Sequence, residues 1–243
     1  MSVLSGKGAV VTGGSRGIGR AVVERLTRDG AQVVFCYRSS EEAARKVAES
    51  TGAHAVRADL GSRADLERLF AEAEARLPGL DILVNNAATG EGHKPVADLT
   101  DDDYDRVFAV NTSSVFLALR WAARVMRDGG RIITVSTLNT KVPAPGLSLY
   151  CGSKGAVEQF TKVVSRELGG RGITVNTVSS GATDTDLLRG ANPPEALERT
   201  PAFTALGRLG RPDDIASVVA FLAGPDGRWV TGQNLLATGG LYV

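Results

Sequence analysis

The chain has 243 residues, enough to bury a full core as a single α/β domain. Its 28 basic and 27 acidic side chains are spread along the sequence and leave a net charge of +1, which argues against nucleic acid and anionic membranes as partners. The two cysteines, Cys36 and Cys151, lack metal-ligand spacing; with no signal-like start and no apolar run near the roughly 18 residues of a membrane span, the expectation is a cytoplasmic protein with no metal and no disulfide framework.

Ala9–Thr12 reads as a buried strand, and glycines follow at Gly13, Gly14, Gly17 and Gly19 before the helical pattern of Ile18, Val22, Val23 and Leu26, closed by Gly30. Strand, glycine-rich turn and helix are what a dinucleotide pyrophosphate needs: backbone approach without Cβ atoms, and open N–H groups at a helix start. The spacing is GxxxGxG rather than GxGxxG. Gln32–Cys36 is the second strand, and Tyr37–Arg38–Ser39–Ser40 stand where an NAD site usually has an acid for the ribose 2′-hydroxyl. Arg38, with Ser39, Ser40 and Arg16 beside it, suits a 2′-phosphate instead, so the cofactor expected is NADP(H). Ser39–Glu42 also reads as a capping box, and the two roles are compatible.

A helix over Glu41–Glu49 and a strand over Ala53–Arg57 lead to Asp59–Leu60; Ser62 and Asp65 read as a capping box for the helix Ala64–Leu77. Ile82–Val84 is the fourth strand, followed by Asn85–Asn86–Ala87–Ala88, small and amide residues suited to a crevice lined by a flat cofactor. Thr100 and Asp103 cap a helix that the pattern carries to about Met126. Asn111 is a poor residue for that helix interior; it either bonds a neighbouring helix or faces a cleft and holds a water. Arg131–Val135 is the fifth strand, ending at Ser136 and Thr137, and a Pro- and Gly-rich loop runs from Leu138 to Leu147.

Apolar residues at Val157, Phe160, Val164 and Leu168 make the next segment a helix, which puts Tyr150 and Lys154 one turn apart on one face. A phenol beside an ammonium is a device for proton transfer: the positive charge favours the phenolate, and a tuned Tyr exchanges a proton with a substrate oxygen near neutral pH. Ile173–Val178 is the sixth strand, leading to Ser180–Gly181–Ala182–Thr183. Residues 186–207 lack periodicity and read as a long functional loop, a lid. Pro212 opens a last helix and Asn234–Ala237 a last strand. His54 and His93 read as surface residues.

In this order the motifs resemble the short-chain dehydrogenase/reductase family over almost the whole chain. Thr12–Gly19 matches TGxxxGIG, Asp59–Leu60 the adenine-contacting pair, Asn85–Ala87 the NNAG motif with Ala88 for its last glycine, and Leu209–Ala216 and Gly239–Gly240 the C-terminal motifs. The wording around Tyr150 looks closest to NADPH-dependent aldehyde reductases and trihydroxynaphthalene-type ketoreductases, and is more distantly similar to 3-oxoacyl-(acyl-carrier-protein) reductases. The resemblance implies a Rossmann-type, doubly wound, mostly parallel seven-stranded sheet with helices on both faces. It implies reversible hydride transfer between NADP(H) and a carbonyl: Thr137 orients the carbonyl, Tyr150 gives the proton, Lys154 lowers the Tyr pKa and holds the ribose, and Asn111 anchors a water. Cofactor contacts fall to Gly13, Ser15, Arg16, Gly17, Ile18, Gly19, Tyr37, Arg38, Ser39, Asp59, Leu60, Asn86, Ala87, Gly181, Thr183 and Thr185, besides Tyr150 and Lys154.

The resemblance also implies a homodimer or homotetramer, consistent with apolar Phe108, Val115, Phe116 and Trp121 on more than one face of the helix over 101–126. Two departures stand out. Ser180 replaces the usual Pro beside the nicotinamide, and Thr137 replaces the usual Ser thirteen residues before the Tyr. Alternatives are an NAD-dependent alcohol dehydrogenase and a cofactor-binding sensor without catalysis.

Overall fold

The computed structural model describes residues 2–90 and 92–241. Its described strands are β1 (Gly8–Val11), β2 (Gln32–Tyr37), β3 (His54–Arg57), β4 (Leu80–Asn85), β5 (Met126–Thr137), β6 (Thr174–Ser180) and β7 (Asn234–Ala237). They form one sheet in the order β3-β2-β1-β4-β5-β6-β7, with every pairing parallel. The helices are α1 (Gly17–Arg28), α2 (Glu41–Thr51), α3 (Arg63–Arg76), α4 (Asp101–Phe108), α5 (Ser114–Val125), α6 (Ser148–Leu168), α7 (Asp186–Ala191), α8 (Pro194–Arg199) and α9 (Pro212–Ala223).

A parallel sheet is covered on both faces, so its strands are apolar on both. The alternation along each strand divides the core in two. Ala9, Val11, Val33, Phe35, Ile82, Val84 and Ile133 face a layer containing α1 and α9 residues such as Val22, Leu26, Ile215 and Leu222. Their neighbours Val10, Val34, Leu83 and Ile132 face the opposite layer with Leu69 of α3, Leu119 of α5 and Val157 of α6. The strand order reverses between β1 and β4, which opens a crevice at their C-terminal ends.

Several element boundaries differ from the sequence reading. The helix expected over 101–126 is interrupted by a π-turn over Ala109–Ser113, and Met126 already belongs to β5. Met126 pairs with Leu80; the register then shifts, and Arg131 pairs with Ile82. Gly129, at φ 75°, lies within the extra residues. The segment over 186–207 is not a bare loop: it folds as α7, α8 and a 3₁₀ turn over Thr200–Phe203. Helices of six residues are too short to show a period, but their starts are marked, by the Thr185 hydroxyl accepting from Leu188 N–H and by Pro194.

Caps divide similarly. Thr100 and Asp103 form the full reciprocal box. At α3 only half forms, because the Asp65 carboxylate accepts from Asp59 N–H instead of Ser62. The expected Ser39–Glu42 box is absent: Ser40 is the N-cap of α2 and makes no side-chain cap bond.

Candidate active site

The crevice holds a cavity of about 570 Å³ that runs from the glycine turn to the segment over 186–203. At one end the chain leaves β1 and turns into α1. Gly13 has φ 70°, a conformation open to glycine, and a Cβ on Gly19 would lie 2.1 Å from Gly13 O. These positions leave the start of α1 open to an anionic group.

The turn is braced from β4. Thr12 Oγ1 accepts from Asn86 and Ala87 N–H (2.9 and 3.1 Å), and Asn86 Nδ2 donates to Thr12 O and Gly13 O (3.0 and 3.2 Å). Asn86 therefore lines the cavity while its amide supports the glycine turn. Ser15, Arg16, Gly17, Ile18, Tyr37, Arg38, Ser39, Asp59, Leu60, Ala87, Gly181, Thr183 and Thr185 share the same wall. Arg38 is exposed there, and no carboxylate ends β2. Arg16 pairs with Asp186 at the start of α7 (3.3 Å), both well exposed. The Thr185 hydroxyl caps α7, and its methyl is the atom a Cβ on Gly17 would meet, at 3.1 Å.

Opposite the glycine turn, Thr137, Tyr150 and Lys154 line the cavity together. Tyr150 and Lys154 project from the first turns of α6, as their spacing requires. Lys154 is 2% exposed and its Nζ donates to Val135 O at 2.7 Å. Burial pushes its pKa down from 10.5 to about 8, against a smaller upward pull from the Glu158 carboxylate.

Two neighbouring hydroxyls end β5 and have different partners. Ser136 Oγ donates to Glu158 Oε1 at 2.7 Å behind the strand, whereas Thr137 Oγ1 accepts from the local Asn139 N–H at 3.2 Å. That division favours Thr137 as the hydroxyl available to a ligand. Ser180, in the usual place of Pro, leaves its loop anchored: Gly181 N–H donates to Ala237 O, and the approach of Thr238 leaves no room for a Cβ on Gly181.

Asn111 fits the first half of the expectation, a bond to a neighbouring helix: its Nδ2 reaches Ser153 on α6. It is fully buried in the π-turn and is not a wall residue of the cavity. Its Oδ1 accepts from Thr89 N–H, and its Nδ2 donates to Thr89 O and Ser153 Oγ, which ties the segment after β4 to α6. With the amide committed to these partners, its side chain braces that segment against α6.

The sequence reading missed three neighbours of the site. His93 is exposed as expected, yet it lines the cavity and its Nδ1 lies 3.1 Å from Pro145 O. Asn139 follows Thr137 on the wall. Glu158 is buried behind Lys154; its signal was an acid one turn past a lysine on an otherwise core-facing stripe. The far end of the cavity is apolar, with Leu138, Leu147, Leu187, Leu188 and Phe203. No group of metal-ligating side chains occurs among the described residues, and no described helix is long and apolar enough to cross a membrane.

Residues 13–242 match the family profile described as enoyl-(acyl carrier protein) reductase, adh_short_C2. A hydroxynaphthalene reductase-like protein Arp2 of Metarhizium brunneum is 41% identical over 98% of this chain and 95% of its own length. The chain belongs to the short-chain dehydrogenase/reductase family. It is an oxidoreductase of that family, and the likeness extends to solved structures. A short-chain dehydrogenase from Burkholderia cenocepacia J2315 in complex with NADP is 40% identical, with a TM-score of 0.92 over 99% of this chain and 100% of that one. The angucycline C-6 ketoreductase LanV with bound NADP is 42% identical, with a TM-score of 0.92 over 99% and 97%.

Proposed function

We propose that this oxidoreductase is an NADP(H)-dependent carbonyl reductase. The cofactor is NADP(H). The open glycine turn fits a pyrophosphate, and exposed Arg38 with Ser39, in place of a carboxylate after β2, fits a 2′-phosphate. When bound, the cofactor supplies the hydride.

The chain's residues supply position and a proton. Thr137 Oγ1 orients the substrate oxygen. Tyr150 donates its phenolic proton to that oxygen as the carbonyl carbon is reduced, which completes the alcohol. The Lys154 ammonium stabilises the phenolate left behind and offers donors to the nicotinamide ribose. Asn111 keeps the segment at Thr89 against α6, so one wall of the site stays in place. The observation that carries this reading is the convergence of Thr137, Tyr150 and buried Lys154 on the cavity that begins at the glycine turn.

The apolar far end suits an uncharged carbonyl with a hydrophobic body. The names of the Arp2 relative and of LanV favour a small polycyclic ketone among these. Thr183, bonded to Gly181 O, and the short helices over 186–199 form one side of that pocket, the substrate lid of a single 1–243 domain.

Exposed Tyr104, Phe116 and Val163 on α4, α5 and α6 give an apolar surface for a homodimer or homotetramer. NADPH oxidation measured over aldehydes, aromatic and polycyclic ketones, quinones, β-ketoacyl thioesters and an enoyl thioester tests the reading. Reduction of ketones with NADPH preferred is the expected result. Tight NADPH binding with no turnover across the panel would leave a sensor in its place, and turnover of the enoyl thioester alone would replace carbonyl by alkene reduction.

A further inference from the structure

Glu158 is a buried carboxylate, 5% exposed, that the reaction above does not use. It lies one turn beyond Lys154 on the same face of α6. A charge in such a place is costly unless it is hydrogen-bonded. Its Oε1 accepts from Ser136 Oγ and Thr140 Oγ1, both at 2.7 Å, with a longer contact from Ser179 Oγ at 3.5 Å. These hydroxyls come from the end of β5, the turn after it and the end of β6. Ser136 and Thr140 bracket Thr137. Lys154 bonds Val135 O, the residue before Ser136, so two side chains of one helix grip consecutive residues of β5.

Neutral acceptors would satisfy three hydroxyls equally well. A full negative charge has a further consequence, because the nearby ammonium is also removed from water. The two do not form a direct ion pair among the described contacts, and Glu158 is nevertheless the group whose charge pulls the Lys154 pKa back up. The charged groups with bonds on the elements packed around α6 have partners elsewhere. Arg127 and Arg131, early in β5, bond Asp81 and the Gly129 and Gly130 carbonyls. On α4, Asp103 bonds Lys94, and Arg106 bonds Asp103 and the carbonyl of Gly90. Arg120 on α5 lies over the Phe116 ring, and Arg171 past the end of α6 bonds Asp128. β6 carries no charged residue; on α6 itself Tyr150 and Cys151 lie one turn before Lys154, and exposed Lys162 lies one turn past Glu158.

We infer that Glu158 is a positioning residue for proton transfer: its charge keeps Lys154 an ammonium, and its hydroxyl bonds fix the strand end that presents Thr137. The inference rests on the carbonyl-reductase reading for its catalytic meaning, but the titration it predicts exists without turnover.

The test is a ¹³Cε-lysine NMR titration of the cofactor-free protein, which has six lysines, with Lys154 assigned by its absence from Lys154→Met. Glu158→Gln keeps an oxygen for the hydroxyls and removes the charge. Its Lys154 midpoint is expected about one unit or more below that of the wild type, as for loss of an opposite charge nearby. Glu158→Asp, which keeps the charge, is expected to recover most of that shift. The alkaline fall of kcat should move to lower pH by the same amount in Glu158→Gln.

Thr140→Ala strips one donor and leaves the charge; it should leave the Lys154 midpoint unchanged or raised while kcat/KM falls. Superimposable titrations of wild type and Glu158→Gln would overturn the inference. So would an equal drop in Glu158→Asp, or, if Glu158→Gln fails to fold, a lowered midpoint in Thr140→Ala. A wild type that reduces no carbonyl yet shows the shifted titration would sink the functional reading and not this one.

Discussion

Replacing Lys154 with Met should abolish turnover with NADPH, while the cofactor-free protein, near neutral pH, should lose little stability or gain some. Lys154 is buried with its Nζ on Val135 O, and burial holds its pKa at about 8 instead of 10.5. The interval corresponds to about 3 kcal/mol between the charged and neutral forms. Below pH 8 the side chain is protonated in both the folded and unfolded states, and the fold bears that cost in full. Between pH 8 and 10.5 the folded protein has released the proton while the unfolded chain still holds it. The unfolded state then binds more protons, so the Lys154 contribution to stability rises with pH through this window and levels off above it.

Met keeps the apolar stem and removes the charge. It also leaves Val135 O without its donor, a loss of about 1–3 kcal/mol that partly offsets the gain. The decisive quantity is the pH dependence of the difference. Urea unfolding of wild type and Lys154→Met at matched protein concentration, without cofactor, from pH 7 to 10.5 should show the wild type gaining on the variant by about 3 kcal/mol. Groups ionising alike in both proteins cancel. Parallel stability curves across that range would refute the reasoning and mean that Lys154 titrates in the fold as it does in the open chain.

Tyr150→Phe removes the proton donor and keeps the ring; kcat should fall by about 10²–10⁴ while NADPH still binds, read by steady-state turnover beside cofactor fluorescence. Thr137→Ala should lower kcat/KM about 10²-fold. Ser136→Ala, whose hydroxyl faces Glu158, should cost mainly Tm, and the reverse ranking would show that Ser136 is the hydroxyl that meets substrate. Arg38→Asp should reverse a preference for NADPH over NADH of about tenfold or more in Kd, measured by titration of both cofactors; equal affinities in the wild type would contradict the role of Arg38. Light scattering at micromolar concentration should give a dimer or tetramer, and a charged residue in place of Phe116, which is 48% exposed, should weaken that assembly.

Much of this molecule is settled by local rules. β1 is a short apolar run that leads into a glycine turn, β2 one that follows Gly30, α1 starts within the glycines at Gly17, and Tyr150 and Lys154 share a helix face because four residues make about one turn. The thirteen-residue interval from Thr137 to Tyr150 and the missing acid after β2 are also properties of the chain alone. The tertiary structure decided what local rules leave open. Asn111 looked like a helix-interior oddity, and only the packing of a π-turn against the Thr89 segment and Ser153 shows its amide to be a brace.

Ser136 and Thr137 are alike as sequence. The pleat sends one hydroxyl back to Glu158, and which of the two goes is fixed by the parallel register of β5 with β6. α7 and α8 escaped because six residues hold less than two turns, so no periodicity accumulates; their caps are the only local mark they carry. Glu158 read as one more polar residue on a helix. Its importance arises from burial, and burial belongs to the packed sheet rather than to the helix that carries the residue.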